Sequence, residues 1–240
     1  MYELYGDTLV VTRDPTRVAH NAVIACCTAS ICERGAFAIC LSGGTTPKAL
    51  YRRLSSAPQR LDWSRVSAFL GDERAVPADH PDSNWGMIER ELLSRLPVRP
   101  DAYRPAAESD DLDAAAADYA ELMETVLPLS AEGVPVFDLV LLGLGEEGHI
   151  ASLFPDTAAL AVGDRWYVAN SVPELATVRL TITYPVIEVA RQVLVLVSGR
   201  AKALALAWTL HDQDESFPAA ALARMPNVRW VADDEAARAL

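Results

Sequence analysis

Short, almost wholly apolar runs alternate along this chain with longer stretches in which apolar residues recur at helical spacing. The runs Phe37–Leu41, Val66–Leu70, Phe137–Leu142, Gln192–Val197 and Val228–Val231 read as strands, as do the mixed segments Trp166–Ala169 and Arg179–Thr183. Between them, Asp14-Pro15 is a cap followed by a first-turn proline. Val18, Ala22, Ala25, Ala29 and Cys32 then mark one face of a helix that Gly35 stops. Further helices are expected from Pro47 to about Leu54, from Asn84 to about Leu96, over Asp111–Val126, and from Lys202 onward. This alternation is the pattern of an α/β protein, a doubly wound and mostly parallel sheet with helices on both faces. There is no internal repeat, and the linker candidates Pro97–Asp101 and Leu127–Val136 are short, so residues 1–240 read as a single domain.

Charge narrows the function. The chain carries 33 acidic against 21 basic residues, a formal net charge of −12. Nucleic acid and anionic membrane surfaces are therefore unsuitable partners, and a site for an anionic ligand must be locally basic. Met1–Asp14 lacks the basic-then-apolar order of a secretion signal, and no apolar segment is long enough to span a bilayer. Cys26, Cys27, Cys32 and Cys40 form no C-x-x-C pair and read as small buried hydrophobes. A cytoplasmic protein is expected.

Three strand ends carry the chemistry, and in open α/β sheets ligands bind beyond the carboxyl ends of strands. Ser42-Gly43-Gly44-Thr45-Thr46 lets backbone N–H groups and a helix start meet an anion, although the same residues serve a plain turn with Thr46 as a cap. Gly71-Asp72-Glu73-Arg74 packs three charges directly after an apolar strand, as a site or as a solvated loop with a surface ion pair. Gly143–His149 brings a histidine to the end of the most apolar strand. An imidazole's reference pKa of ~6.5 suits proton transfer near neutral pH. His20, His80 and His211 lack such surroundings and read as surface residues. Gly143, Gly145 and Gly148 also spell G-x-G-x-x-G, but Pro155 interrupts the helix that a dinucleotide would need, and Asp164 precedes a strand where the ribose acid should follow one. No G-x-S-x-G elbow or H-E-x-x-H motif occurs, so water activated by a base is the simpler chemistry.

Together, Leu41–Tyr51, Phe69–Asn84, Phe137–Pro155, Val178–Thr183 and Ser198–Lys202 resemble the 6-phosphogluconolactonase family, and more distantly glucosamine-6-phosphate deaminase, in order along most of the chain from Phe37 to Lys202. The resemblance implies a deaminase-like sheet and hydrolysis of a phosphorylated lactone with no metal and no cofactor. It implies His149 as general base, Asp72 and Arg74 lining the sugar end, and Ser42, Gly43, Gly44, Thr45, Thr46, Arg179 and Lys202 holding the phosphate. The chain departs from the pattern at Glu147, where many relatives carry Asp. The partner implied is a small phosphosugar lactone, bound by a monomer or weak homodimer. The rival readings are isomerising deamination, with Asp72 as a base on carbon, and a non-catalytic sugar-phosphate sensor.

Overall fold

The computed structural model describes residues 3–5, 8–214 and 216–240. Their elements run β1 (Glu3–Tyr5), β2 (Leu9–Val11), α1 (Pro15–Arg34), β3 (Phe37–Leu41), α2 (Thr45–Ser56), β4 (Val66–Leu70), β5 (Asp72–Arg74) and α3 (Asn84–Glu91). They continue β6 (Asp101–Tyr103), α4 (Leu112–Val126), β7 (Leu139–Gly143), β8 (Tyr167–Val172), β9 (Thr177–Ile182), α5 (Tyr184–Val189), β10 (Val193–Val197), α6 (Ala203–Ala207) and β11 (Val228–Ala232). The main sheet has the order β1-β2-β11-β10-β7-β3-β4-β6 and is parallel except for the β1–β2 pair.

Because strand side chains alternate, the wholly apolar strands feed two cores. Val193, Val195 and Val197 of β10 join Ala116, Tyr119 and Met123 of α4 on one face. Leu194 and Leu196 join Val23 of α1 and Leu50 and Leu54 of α2 on the other. Burying each such valine or leucine stabilises the fold by ~1.5–3 kcal/mol, which is why these strands read so clearly. The chain leaves β3 toward β4 on one side and leaves β7 toward β10 on the other. The crevice at this reversal is where an open α/β sheet takes its ligand.

Several expectations change. The buried face of α1 is Ala19, His20, Val23, Cys26, Cys27 and Ser30, so the stripe lies one position on from the one read from sequence. The helix is rich in alanine and cysteine all round, and apolarity alone did not choose the face. His20 is consequently buried, and Cys32 lies exposed. Arg179–Thr183 does not join the main sheet. Most of it lies in β9, the middle of a second, antiparallel sheet of order β5-β9-β8. Asp72–Arg74, read as a loop, is the edge strand of that sheet. Part of the Pro97–Asp101 linker candidate begins β6, and the helix from Asn84 yields to a 3₁₀ turn over Leu93–Arg95. The short strands β1 and β2 were not expected, and four residues of the Met1–Asp14 reading, 1, 2, 6 and 7, lie outside the described residues. Among the described residues no helix is long and apolar enough to cross a membrane.

Candidate active site

The loop after β3 is built to leave donors free. Gly44 stands at the N-cap of α2 with no side chain closing it. The first-turn N–H groups of a helix have no intrahelical partner, so those of Thr45 and Thr46 are available to an anion. Thr46 is therefore not the cap. The Tyr51 hydroxyl clamps the loop's base, accepting from Ser42 N at 3.0 Å and donating to Ser42 O at 2.7 Å. Burial pushes the Tyr51 phenol up, so it stays neutral.

After β4, Asp72 turns its carboxylate inward, where Oδ2 accepts the Ser152 hydroxyl at 2.7 Å. Glu73 is no surface charge. It is buried, and its carboxylate accepts from Arg74 N, Asn84 N, Trp85 N and the Ser83 hydroxyl at 2.7–2.9 Å. Burial raises its pKa and these donors oppose the rise. Glu73 thus ties β5 to the start of α3, where a negative charge is favoured.

After β7, Gly145 N donates to His149 O at 2.9 Å, closing a tight turn. The imidazole lies across Gly145, where an added Cβ would come within 2.1 Å of Nδ1. The ring also stacks on Phe154 at a centroid distance of 4.1 Å. Nδ1 is buried and lies 3.4 Å from Glu147 Oε1, a contact whose geometry falls short of a hydrogen bond. The nitrogen left to meet water is Nε2. Contact with His149 first, and Lys202 last among the favourable influences, hold the Glu147 carboxyl down at about 2. The carboxylate is thus charged beside Nδ1, which favours the tautomer with the proton on Nδ1 and the lone pair on Nε2. The Phe217 ring packs against Gly148 and buttresses the same turn.

These loops surround one cleft of about 190 Å³. Ser42–Thr46, Asp72, Arg74, Asn84, His149 and Lys202 all contribute to its wall. Lys202, at the end of a 3₁₀ turn leading into α6, has its Nζ 3.7 Å from Glu146 Oε1. Glu147 stands behind His149, outside the wall, and Arg179 is outside it too. Arg179 pairs across β5–β9 with Arg74. Burial, then Arg74, pulls its pKa down against the pull of Asp72, Glu73 and Asp82. The Nε atoms of both arginines are buried without a hydrogen-bond partner among the described residues. Sequence reasoning missed the parts of Asn84 and Ser152, which depend on contacts with distant segments, and saw Gly145 only as a loop glycine, not as the seat of the His149 ring. No helix follows Gly148 to receive a pyrophosphate; the next helical turn is the 3₁₀ segment Ala158–Ala161. Among the described residues no group of three His, Cys, Asp or Glu is arranged to hold a metal ion.

Residues 13–230 match the family model described as glucosamine-6-phosphate isomerases/6-phosphogluconolactonase. The chain is 40% identical over 222 residues to the 6-phosphogluconolactonase of Mycobacterium tuberculosis, covering 88% of each chain. It is 39% identical over 218 residues to that of Synechocystis sp., covering 87% of each. The solved structure of 6-phosphogluconolactonase from Trypanosoma brucei superposes with a TM-score of 0.87 at 30% identity, covering 99% of this chain and 100% of the other.

Proposed function

The chain belongs to the glucosamine-6-phosphate isomerase/6-phosphogluconolactonase family, and on that premise we propose that it hydrolyses 6-phospho-D-glucono-1,5-lactone to 6-phosphogluconate. The observation that carries the reading is His149, seated between Gly145 and Phe154 with Nε2 as its free nitrogen at a cleft lined by a glycine loop and Lys202. His149 Nε2 takes a proton from water as the water oxygen bonds to C1. The carbonyl becomes a tetrahedral oxyanion, for which Arg74, a cationic wall residue two positions from Asp72, is the donor we assign. Collapse breaks the bond from C1 to the ring oxygen, which leaves with the proton held by His149. The net change is addition of one water. Glu147 favours the working tautomer, and Asp72, with Oδ2 taken by Ser152, offers Oδ1 to the sugar or the water. The helix start at Ser42–Thr46 and Lys202 take the phosphate, orienting the ring with binding energy remote from the reacting carbon. The four free cysteines fit a reducing, cytoplasmic setting.

The test is a paired assay on the purified protein. Formation of 6-phosphogluconate is followed through a coupled dehydrogenase, and ammonia release from glucosamine 6-phosphate is followed in parallel. Lactone hydrolysis above the spontaneous rate, without ammonia, is expected; ammonia release without lactone hydrolysis would overturn the assignment. The seat of His149 can be tested separately. Gly145→Ala forces the ring off its position and should lower kcat about 10-fold or more with little change in KM, since a 1 Å misplacement can cost ~100-fold. Steady-state kinetics with an unchanged kcat would show that this packing does not position the base.

A further inference from the structure

Asn84 stands at the start of α3, almost fully buried, and what little of it is open belongs to the wall of the cleft. Three contacts fix it. Its backbone N–H donates to Glu73 Oε1 at 2.7 Å, and its Nδ2 donates to the Asp72 carbonyl at 2.8 Å. Its carboxamide also lies flat against Gly43, where an added Cβ would come within 1.9 Å of Oδ1 and 2.3 Å of Cγ. The Asp72 carbonyl can only accept, so the NH₂ side of the amide must face it and the orientation of the group is settled. Among the described residues nothing donates to Oδ1, and Oδ1 is not one of the sealed, unpartnered atoms of the interior. A rigid acceptor therefore faces the cleft between the glycine loop and Asp72, with no protein group to satisfy it.

We propose that Asn84 is a ligand-binding residue whose Oδ1 accepts a hydrogen bond from one ring hydroxyl of the bound sugar lactone. This rests on the lactonase reading above and adds a specificity determinant to it. A hydroxyl is the group such an acceptor selects. A cleft that holds a polar atom ready for a substrate donor discriminates strongly against the analogue lacking it, because the buried atom is then left unpaired. The same amide joins the two strand-end loops, so a hydroxyl bound there is registered at once against the phosphate loop and Asp72.

The experiment compares kcat/KM for 6-phosphogluconolactone with its 2-, 3- and 4-deoxy counterparts in the wild type and in Asn84→Ala. In the wild type, one deoxy substrate should lose about 10-fold or more. In Asn84→Ala the parent lactone should fall by a similar factor, and the penalty for that one deoxy substrate should shrink to within about twofold, the signature of a coupled pair. A residue that merely braces the loops would lower all substrates alike and leave every deoxy penalty as it was. That result overturns the proposal, as does a wild type indifferent to all three deletions. A wild type that does not hydrolyse the parent lactone overturns the lactonase reading itself, and the hydroxyl contact with it. Should Asn84→Ala not fold, Asn84→Ser, too short to reach a ligand but able to remain polar at the helix start, carries the same comparison.

Discussion

Replacing His149 with alanine is expected to reduce turnover of the phosphorylated lactone by ~10²–10⁴-fold while KM stays close to the wild-type value. The split follows from position. On the proposed reading the ring's polar edge works at the reacting carbon, whereas Lys202 and the glycine loop, in the same cleft wall, take the phosphate. Alanine also removes the stack on Phe154, so a melting curve close to wild type is needed beside the kinetics. His149→Asn, which keeps a polar group of similar reach but cannot take the proton, should lose as much. The lactone opens spontaneously, and that background must be subtracted before any residual rate is read. Near-normal turnover in either variant would remove the mechanism. Asp72→Asn is the internal comparison. It keeps the fold contacts of Oδ2 in altered form and should cost less than loss of the base. Should it abolish activity as fully as His149→Ala, the role of base would pass to Asp72.

The second large effect is expected at Lys202. A substrate phosphate carries roughly −1.5 to −2 charges near neutral pH, and a helix start supplies about +0.5. In a chain of net charge −12 the deficit must be met locally. Lys202 is the lysine in the cleft wall, and its contact with Glu146 at 3.7 Å is loose enough to yield to a dianion. Lys202→Ala should raise KM for the phosphorylated lactone about 10–100-fold, the range of one charge-assisted hydrogen bond. Residual hydrolysis of unphosphorylated gluconolactone should scarcely change. Arg179, which stands outside the wall and next to Arg74, should show the same selectivity with a smaller rise when replaced by alanine. Equal losses on both substrates would mean that these residues serve folding or chemistry and not the phosphate.

What the sequence disclosed follows from how each element is stabilised. β3, β4, β7, β10 and β11 are buried on both faces, so their residues are nearly all apolar and the runs stand out. The second sheet is different. β5 is Asp-Glu-Arg, and β8 and β9 mix buried and open positions, so neither composition nor period marks them as one antiparallel unit. The glycine loops were legible because each follows such a strand directly. Asn84 and Ser152 were not. Their meaning arises from Gly43 and from Asp72, the latter 80 positions from Ser152, and nothing near either residue announces that partner. In the sequence Glu73 stays open between a site and a solvated loop for the same reason: the helix start that consumes its charge lies ten residues on.

The placement of β11 has a bearing on how the chain is made. Val228–Ala232 lies between β10 and β2, and among the described residues Leu9–Val11 joins the parallel strands of the main sheet through Trp230–Ala232. During synthesis, residues 9–11 emerge tens of seconds before their partner, at ~5–20 residues per second. Until then β10, the run Val-Leu-Val-Leu-Val, presents one edge with its backbone groups unpaired. The margin of β10 and the β1–β2 pair both wait on β11, and the strand threaded between them closes both. Such late, long-range closure is slow.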